Sequence, residues 1–175
     1  MADQQNFSKF SPTLNQASMG AMANTDSSGQ QLVHEIFTMI NNAKDKPKKI
    51  EVLKKYDNQP MRQLLKAAFD PKIEWDLPPG TPPFIKNEAP AGTEHTSLLM
   101  EAKKLWHFVK GADTTISNTK KETMFIQMLE GLQEKDAEVL IAIKDSKLNN
   151  TYKGLTASMV KEAFGWNDDF NRINQ

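Results

Sequence analysis

Residues 70–93 read DPKIEWDLPPGTPPFIKNEAPAGT and contain six of the nine prolines in this chain of 175 residues. Proline has no backbone N–H and a fixed φ, so neither a helix nor a central strand can form at this density. The segment also carries five large apolar side chains that a flexible linker would leave in water: Ile73, Trp75, Leu77, Phe84 and Ile85. We therefore predict an extended, partly polyproline arm that lies across the rest of the molecule, with Trp75 and Phe84 buried.

Three runs of apolar residues at helical spacing precede the arm. The first contains Leu32, Val33, Ile36, Phe37 and Ile40. Proline suits the first turn of a helix, where its missing N–H is not needed, so Pro47 and Pro60 mark the starts of two more helices. We expect these two helices to end near Asp57 and at Phe69.

Further helices are predicted after the arm. The first would be amphipathic, would end at Gly111, and would carry Leu98, Leu99, Ala102, Leu105, Trp106 and Val109. Thr119 and Glu122 have the spacing of a capping box, which predicts the start of the next helix. The apolar run 139–143 fits a buried helix or a strand, and the acidic residues before it favour a helix. Thr156 can cap a short last helix that ends at Gly165.

The predicted fold is all-α, an irregular bundle of six or seven short helices over residues 31–166 that the arm crosses. Residues 1–30 are polar and show no apolar period, which predicts a disordered N-terminal tail. The alternative is a segment that becomes ordered on a partner, with Phe7 and Phe10 as its anchors. We expect residues 167–175 to fray.

Composition limits the classes of function. The 22 basic and 22 acidic side chains balance, so no overall field attracts nucleic acid or an anionic membrane. Cysteine is absent, which excludes disulfides and thiolate metal sites. No run approaches the roughly 18 apolar residues of a membrane span. The first 30 residues do not resemble a secretory signal, so we expect a cytoplasmic protein.

No catalytic constellation is evident. His34, His95 and His107 are far apart and form no pair at ligand spacing, so we expect no metal site. The sequence has neither a glycine-rich phosphate loop nor a nucleophile elbow. The adjacent acids Asp168 and Asp169 are expected to lie in a solvated tail. We therefore expect neither enzymatic activity nor a cofactor.

Nine methionines are many for this length. Met124 and Met128 share a predicted helical stripe with Phe125 and Leu129. We favour a role as core filler, because methionine adapts its shape to irregular gaps. A partner-binding groove is the alternative.

One basic run could bind phosphate groups. It contains Lys46, Lys48, Lys49, Lys54 and Lys55. Contact with nucleic acid is one interpretation. We favour a solvated face balanced by acidic neighbours. Tyr56 is the one aromatic residue beside these lysines, so no stacking surface for single strands is evident.

Several motifs resemble a family of small, mostly uncharacterised proteins from T-even-like tailed phages, including phages of cyanobacteria. They are LLKAAFDP (64–71), WDLPPGTPP (75–83), KETMFIQMLE (121–130), DAE (136–138), KGLT (153–156) and VKEAF (160–164). The resemblance covers about residues 48–166. Some members of the family are similar to the inhibitor of the prohead protease, a head-assembly factor.

The resemblance and the missing catalytic constellation together predict a non-catalytic phage accessory protein that acts by protein–protein contact. The resemblance implies a role in head assembly as an inhibitor of the prohead protease, with that protease or a capsid component as partner. It also implies a location in the host cytoplasm or the virion. The predicted contact residues are Phe7, Phe10, Trp75 and Phe84. The alternative is a nucleic-acid-associated phage protein that uses the basic run.

Overall fold

The computed structural model describes residues 30–90 and 92–173, which form eight α-helices and one 3₁₀ helix. The helices are α1 (Val33–Asn42), α2 (Lys46–Lys55), α3 (Gln59–Phe69), α4 (Leu98–Glu101), the 3₁₀ helix (Ala102–Phe108), α5 (Asn118–Gly131), α6 (Glu134–Lys144), α7 (Leu148–Thr151) and α8 (Ala157–Phe164). The predicted all-α fold of short helices is confirmed. Apart from Gln30, the predicted tail and its anchors Phe7 and Phe10 lie outside the described residues.

Side-chain caps determine where several helices begin. The Asp45 carboxylate accepts a hydrogen bond from the Lys48 amide before α2, and proline occupies the first turn of that helix. Asn58 caps α3 in the same way, again before a proline. The predicted capping box is wrong, because α5 begins at Asn118 and its N-cap is Ser117.

The core lies around α6, which contacts α1, α3, α4, α5 and α7. Val139, Leu140, Ile141 and Ile143 are all buried. This confirms that the apolar run is a buried helix. On the other side of α1, helix α2 packs against both α1 and α8.

The arm crosses the helices, as predicted, and a short antiparallel bridge between Trp75 and Val109 attaches its first part. The Asp76 amide donates to the Phe108 carbonyl over 2.7 Å, and the Lys110 amide donates to the Glu74 carbonyl over 2.8 Å. Farther along, the Ile85 amide donates to the Glu130 carboxylate of α5. Trp75 and Phe84 pack against the core but are only half-buried. The predicted burial of these two residues is therefore only partial.

Two buried lysines bind the middle of the arm. Lys121 of α5 lies 2.8 Å from the Asp76 carboxylate. Lys144, at the end of α6, donates to the carbonyls of Pro78 and Gly80 over 2.9 and 3.0 Å. Prolines offer carbonyl acceptors but no N–H donors, so side chains of the helices supply the missing donors.

Residues 167–173 pack instead of fraying. Phe170 is buried and lies edge-to-face against Trp166, with ring centroids 6.1 Å apart. The Ile173 amide donates to the Gly165 carbonyl. Burial of two aromatic rings compensates for the entropy of ordering this short segment. None of the described helices is long and apolar enough to cross a membrane.

Candidate interaction surface on the 3₁₀ helix

The segment from Leu98 to Phe108 departs most from its predicted structure. After one turn of α4 it continues as a 3₁₀ helix, in which residues three apart lie on the same face. Leu99, Ala102, Leu105 and Phe108 follow that period, and all four are buried. The predicted stripe with α-helical spacing, which placed Trp106 among the core residues, is wrong for this reason.

A second row with the same period faces solvent. Met100 is 51% exposed, Trp106 is 49% exposed, and Lys103 between them is also exposed. At a rise of about 2 Å per residue the row is roughly 12 Å long. We call Met100, Lys103, Trp106 and the adjoining His107 the Trp106 face. The period of three in the buried row was the sequence signal for this face.

The exposed indole is fixed in position by its neighbour. The rings of Trp106 and His107 stack with centroids 3.9 Å apart and an interplanar angle of 30°. His107 Nδ1 lies 2.6 Å from a carboxylate oxygen of Asp113. This contact orients the imidazole, and the exposed indole of Trp106 stacks on it.

Asp113 is the buried end of this chain of contacts. Its carboxylate accepts hydrogen bonds from the hydroxyl and the amide of Thr115, over 2.6 and 2.9 Å. The Thr115 hydroxyl, His107 and the Thr115 amide together lower the pKa of Asp113 to about 2. Asp113 is therefore an anion at neutral pH, and the His107 Nδ1–H donates to it.

The charges exposed along this segment are basic. Lys103, Lys104 and Lys110 are exposed, whereas the acids Glu101 and Asp113 are buried. Lys104 pairs with Glu101 over 3.2 Å, and Lys110 lies 3.5 Å from Glu74. Lys103 forms no ion pair within the described part of the chain. The Trp106 face therefore presents aromatic and apolar groups together with positive charge.

A groove of about 300 Å³ adjoins this helix. Its apolar lining comes from Phe108 of the 3₁₀ helix and from Met124 and Met128 of α5. His95, Glu101 and Lys104 are among its polar lining residues. Met128 is buried and Met124 packs against the core, as expected for core filler, yet both also line the groove.

The predicted contact residues of the arm have a different environment. Trp75 and Phe84 each pack against the core, and the indole Nε1 of Trp75 is buried without a hydrogen-bond partner in the described structure. Ile85, beside Phe84, is the arm residue that reaches solvent, with 79% of its surface exposed. Trp75 and Phe84 therefore help to pack the arm, and partner binding by these two residues stays a prediction.

Three of the five lysines of the basic run are engaged within the protein. Lys46 pairs with Glu162 over 2.7 Å, and Lys48 pairs with Glu51 over 3.3 Å. Lys49 donates to the carbonyls of Ile40, Asn41 and Ala43, at the end of α1. Lys54 and Lys55 are exposed. Phosphate binding by this run stays a prediction, with less free charge than the sequence indicates.

Other hollows carry no evident chemistry. One of about 780 Å³ lies between the end of α3, the arm and the turn after α6. Lys144 lines it, but its ammonium group is engaged with the Pro78 and Gly80 carbonyls and with Asp145. His34, buried in α1, is satisfied by Asp136. Within residues 30–90 and 92–173, no three acidic or histidine side chains lie together as metal ligands.

Comparison with known proteins identifies a family. A family model described as "Family of unknown function (DUF6433)" matches residues 36–150, about two thirds of the chain. That range includes the arm, the 3₁₀ helix and both buried lysines of the arm. No curated protein matches the sequence, and no solved structure matches the fold.

Proposed function

The chain belongs to the DUF6433 family of unknown function, and we propose that it is a non-catalytic protein that acts by contact with another protein through the Trp106 face. The observation that carries this proposal is an exposed tryptophan whose ring is fixed by His107 and, through it, by Asp113. An exposed side chain with no binding role does not need neighbours that fix its orientation. Tryptophan is also among the residues most enriched at the energetic centres of interfaces.

The exposed part of Trp106 is large enough to matter in binding. A tryptophan side chain buries about 150–250 Å² when it is fully covered. Trp106 is 49% exposed, so a partner would remove roughly 100 Å² from water, worth about 2.5 kcal/mol. Because stacking on His107 already restricts the ring, little additional side-chain entropy is lost on binding.

The resemblance to proteins of T-even-like phages supplies the setting. We place the protein in phage head assembly, as an inhibitor of the prohead protease, in the host cytoplasm or in the virion. A chain that binds the protease or a capsid component needs a binding surface and no catalytic group. The Trp106 face is such a surface, and it is independent of the resemblance.

Site-specific cross-linking in infected cells tests the contact. A photoreactive amino acid at position 103, beside Trp106, is expected to form an adduct with a phage head or protease component. The same residue at position 54 is the matched control, because Lys54 is an exposed helical lysine elsewhere on the molecule. Equal adduct patterns at both positions would contradict a partner on the Trp106 face.

The inhibitory role has its own test. Purified protein added to the active prohead protease of the same phage is expected to slow cleavage of the scaffold substrate. Trp106→Ala should weaken this inhibition, whereas Ile85→Ala, which removes an exposed apolar side chain from the arm, should not. Undiminished cleavage at saturating protein would refute the inhibitory role while leaving protein contact open.

A further inference from the structure

The Trp106 face also indicates the chemistry of its partner. We propose that it binds an acidic protein segment in which one large apolar residue enters the groove beside the 3₁₀ helix. This inference rests on the proposed function, because it names the kind of protein segment that the Trp106 face and the groove beside the same helix accept. Two separate observations carry it, the sign of the exposed charge and the lining of the groove.

The exposed charge of the segment from Leu98 to Asp113 is positive because its lysines are exposed and its acids are buried. Its lysines are directed to solvent, whereas Glu101 is 8% exposed and Asp113 is 4% exposed. An approaching partner therefore meets the ammonium groups of Lys103 and Lys104 first, whereas Lys110 is already paired with the exposed Glu74. Lys103 has no carboxylate partner among the described residues, so it can pair with an acid of the partner without breaking an existing ion pair. Complementary charge raises the association rate and selects against basic partners.

The groove is the proposed binding site for the large apolar side chain of the partner. Its volume of about 300 Å³ is at the lower limit for ligand pockets, which fits a side chain better than a cofactor. The thioether side chains of Met124 and Met128 can adjust to a leucine, methionine or phenylalanine. Lys104 lines the groove and follows Lys103 directly, so an acidic residue next to the apolar one would meet an ammonium group.

A single strand of nucleic acid is the competing occupant, since bases stack on tryptophan and phosphates pair with lysine. The apolar members of the surface argue against it. Met100 is 51% exposed within the row, and Phe108, Met124 and Met128 give the groove an apolar wall that suits a hydrocarbon side chain better than a sugar. Single-strand sites combine several stacking rings with a basic channel. This segment exposes one tryptophan stacked on its own histidine.

Selection from a random peptide library tests the inference with the full chain as bait. Peptides that bind the wild-type protein but not Trp106→Ala are expected to be rich in aspartate and glutamate beside one leucine, methionine or phenylalanine. Trp106-dependent peptides without acidic enrichment would overturn the partner chemistry and leave the proposed function intact. Absence of any Trp106-dependent peptide would count against the proposed function itself.

Charge reversal gives a quantitative check on the selected peptides. Lys103→Glu is expected to weaken their binding about three- to tenfold, because exposed ion pairs are worth a fraction of a kcal/mol to about 1 kcal/mol and reversal replaces attraction by repulsion. Lys54→Glu is the matched control and should leave binding unchanged. Equal effects of the two variants would refute local pairing at Lys103. Trp106-dependent binding of fluorescein-labelled oligothymidine, tighter than that of the peptides, would overturn the proposal in favour of nucleic acid.

Discussion

Lys144 offers the sharpest test of how the arm is attached. Its side chain is 2% exposed, and its ammonium group contacts the Pro78 carbonyl, the Gly80 carbonyl and the Asp145 carboxylate. Lys144→Met keeps a flexible chain of similar length but removes all three donors. The variant therefore leaves two carbonyls of the arm and one carboxylate without their main partner.

The magnitude follows from these contacts. Removing one member of a buried ion pair costs about 3–5 kcal/mol, and a hydrogen bond to a charged group is worth about 1.5–3 kcal/mol. The Asp145 side chain is 11% exposed, and Pro78 and Gly80 are exposed residues, so water replaces part of what is lost. We expect the free energy of unfolding to fall by about 3 kcal/mol, which corresponds to a decrease of roughly 6–12 °C in Tm for a domain of this size.

Urea denaturation followed by tryptophan fluorescence measures this change, and hydrogen exchange at the Gly80 amide reports local opening of the arm. That amide donates to the Asp145 carboxylate, so its exchange should accelerate in the variant. Lys147→Met is the matched control, because Lys147 is an exposed lysine in the turn after α6, and its effect should stay within about 0.5 kcal/mol. Equal stabilities of the two variants would refute the role of Lys144 as the donor that binds the arm.

Three other measurements examine separate parts of the fold. Trp75→Ala should lower the free energy of unfolding by about 3 kcal/mol. Trp75→Phe removes the unpartnered Nε1 but keeps a ring, so its stability should stay within about 1 kcal/mol of wild type. Equal losses in the two variants would contradict the packing role of Trp75. Ser146 has φ 56° at the end of α6 and Gly165 has φ 65° at the end of α8, a left-handed backbone conformation that favours glycine. In thermal denaturation, Ser146→Gly should therefore stabilise the protein by about 1 kcal/mol, and Gly165→Ala should destabilise it by about the same amount. The folded-state pKa of Asp113 is about 2, below the value near 3.9 of an unfolded chain, so its contribution to stability is present above pH 4 and is lost as the pH falls toward 2. Tm measured against pH should therefore fall less steeply for Asp113→Asn than for wild type over that range, and parallel curves would contradict this.

Local signals in the sequence predicted most of the helices. Pro47 and Pro60 mark the first turns of α2 and α3. A helix accepts proline in its first turn, where the missing N–H is not needed, and this holds whatever the tertiary context. The run 139–143 was assigned to a helix from the acids before it, and its burial on nearly all sides explains why no clear amphipathic period appears. These elements are specified by residues within one or two turns.

The candidate site depended on information that is not local. Residues 98–109 satisfy an α-helical stripe and a 3₁₀ stripe almost equally well, since Leu99, Ala102 and Leu105 belong to both. The two patterns differ at Trp106 and Phe108, where either aromatic residue could occupy the core. Packing decides between them, because the Phe108 ring lies edge-to-face on Phe125 of α5 with centroids 5.4 Å apart. Among the described residues of the predicted frayed end, Phe170 is buried for the same reason, since it finds its partner Trp166 only in the folded chain.

The arm is hydrogen-bonded to the 3₁₀ helix that carries the Trp106 face. The Asp76 amide donates to the carbonyl of Phe108, the last residue of the 3₁₀ helix, so the arm satisfies a carbonyl that a helix end leaves without an intrahelical donor. Lys121 contacts the Asp76 carboxylate and thereby connects this junction to α5, whose methionines line the groove. This 3₁₀ helix has seven residues, whereas runs of more than three or four are uncommon because their hydrogen-bond geometry is poor, so the contact at its end helps to stabilise it. Trp75 therefore anchors the arm that stabilises the helix, and Trp106 is the aromatic residue that this helix exposes to solvent.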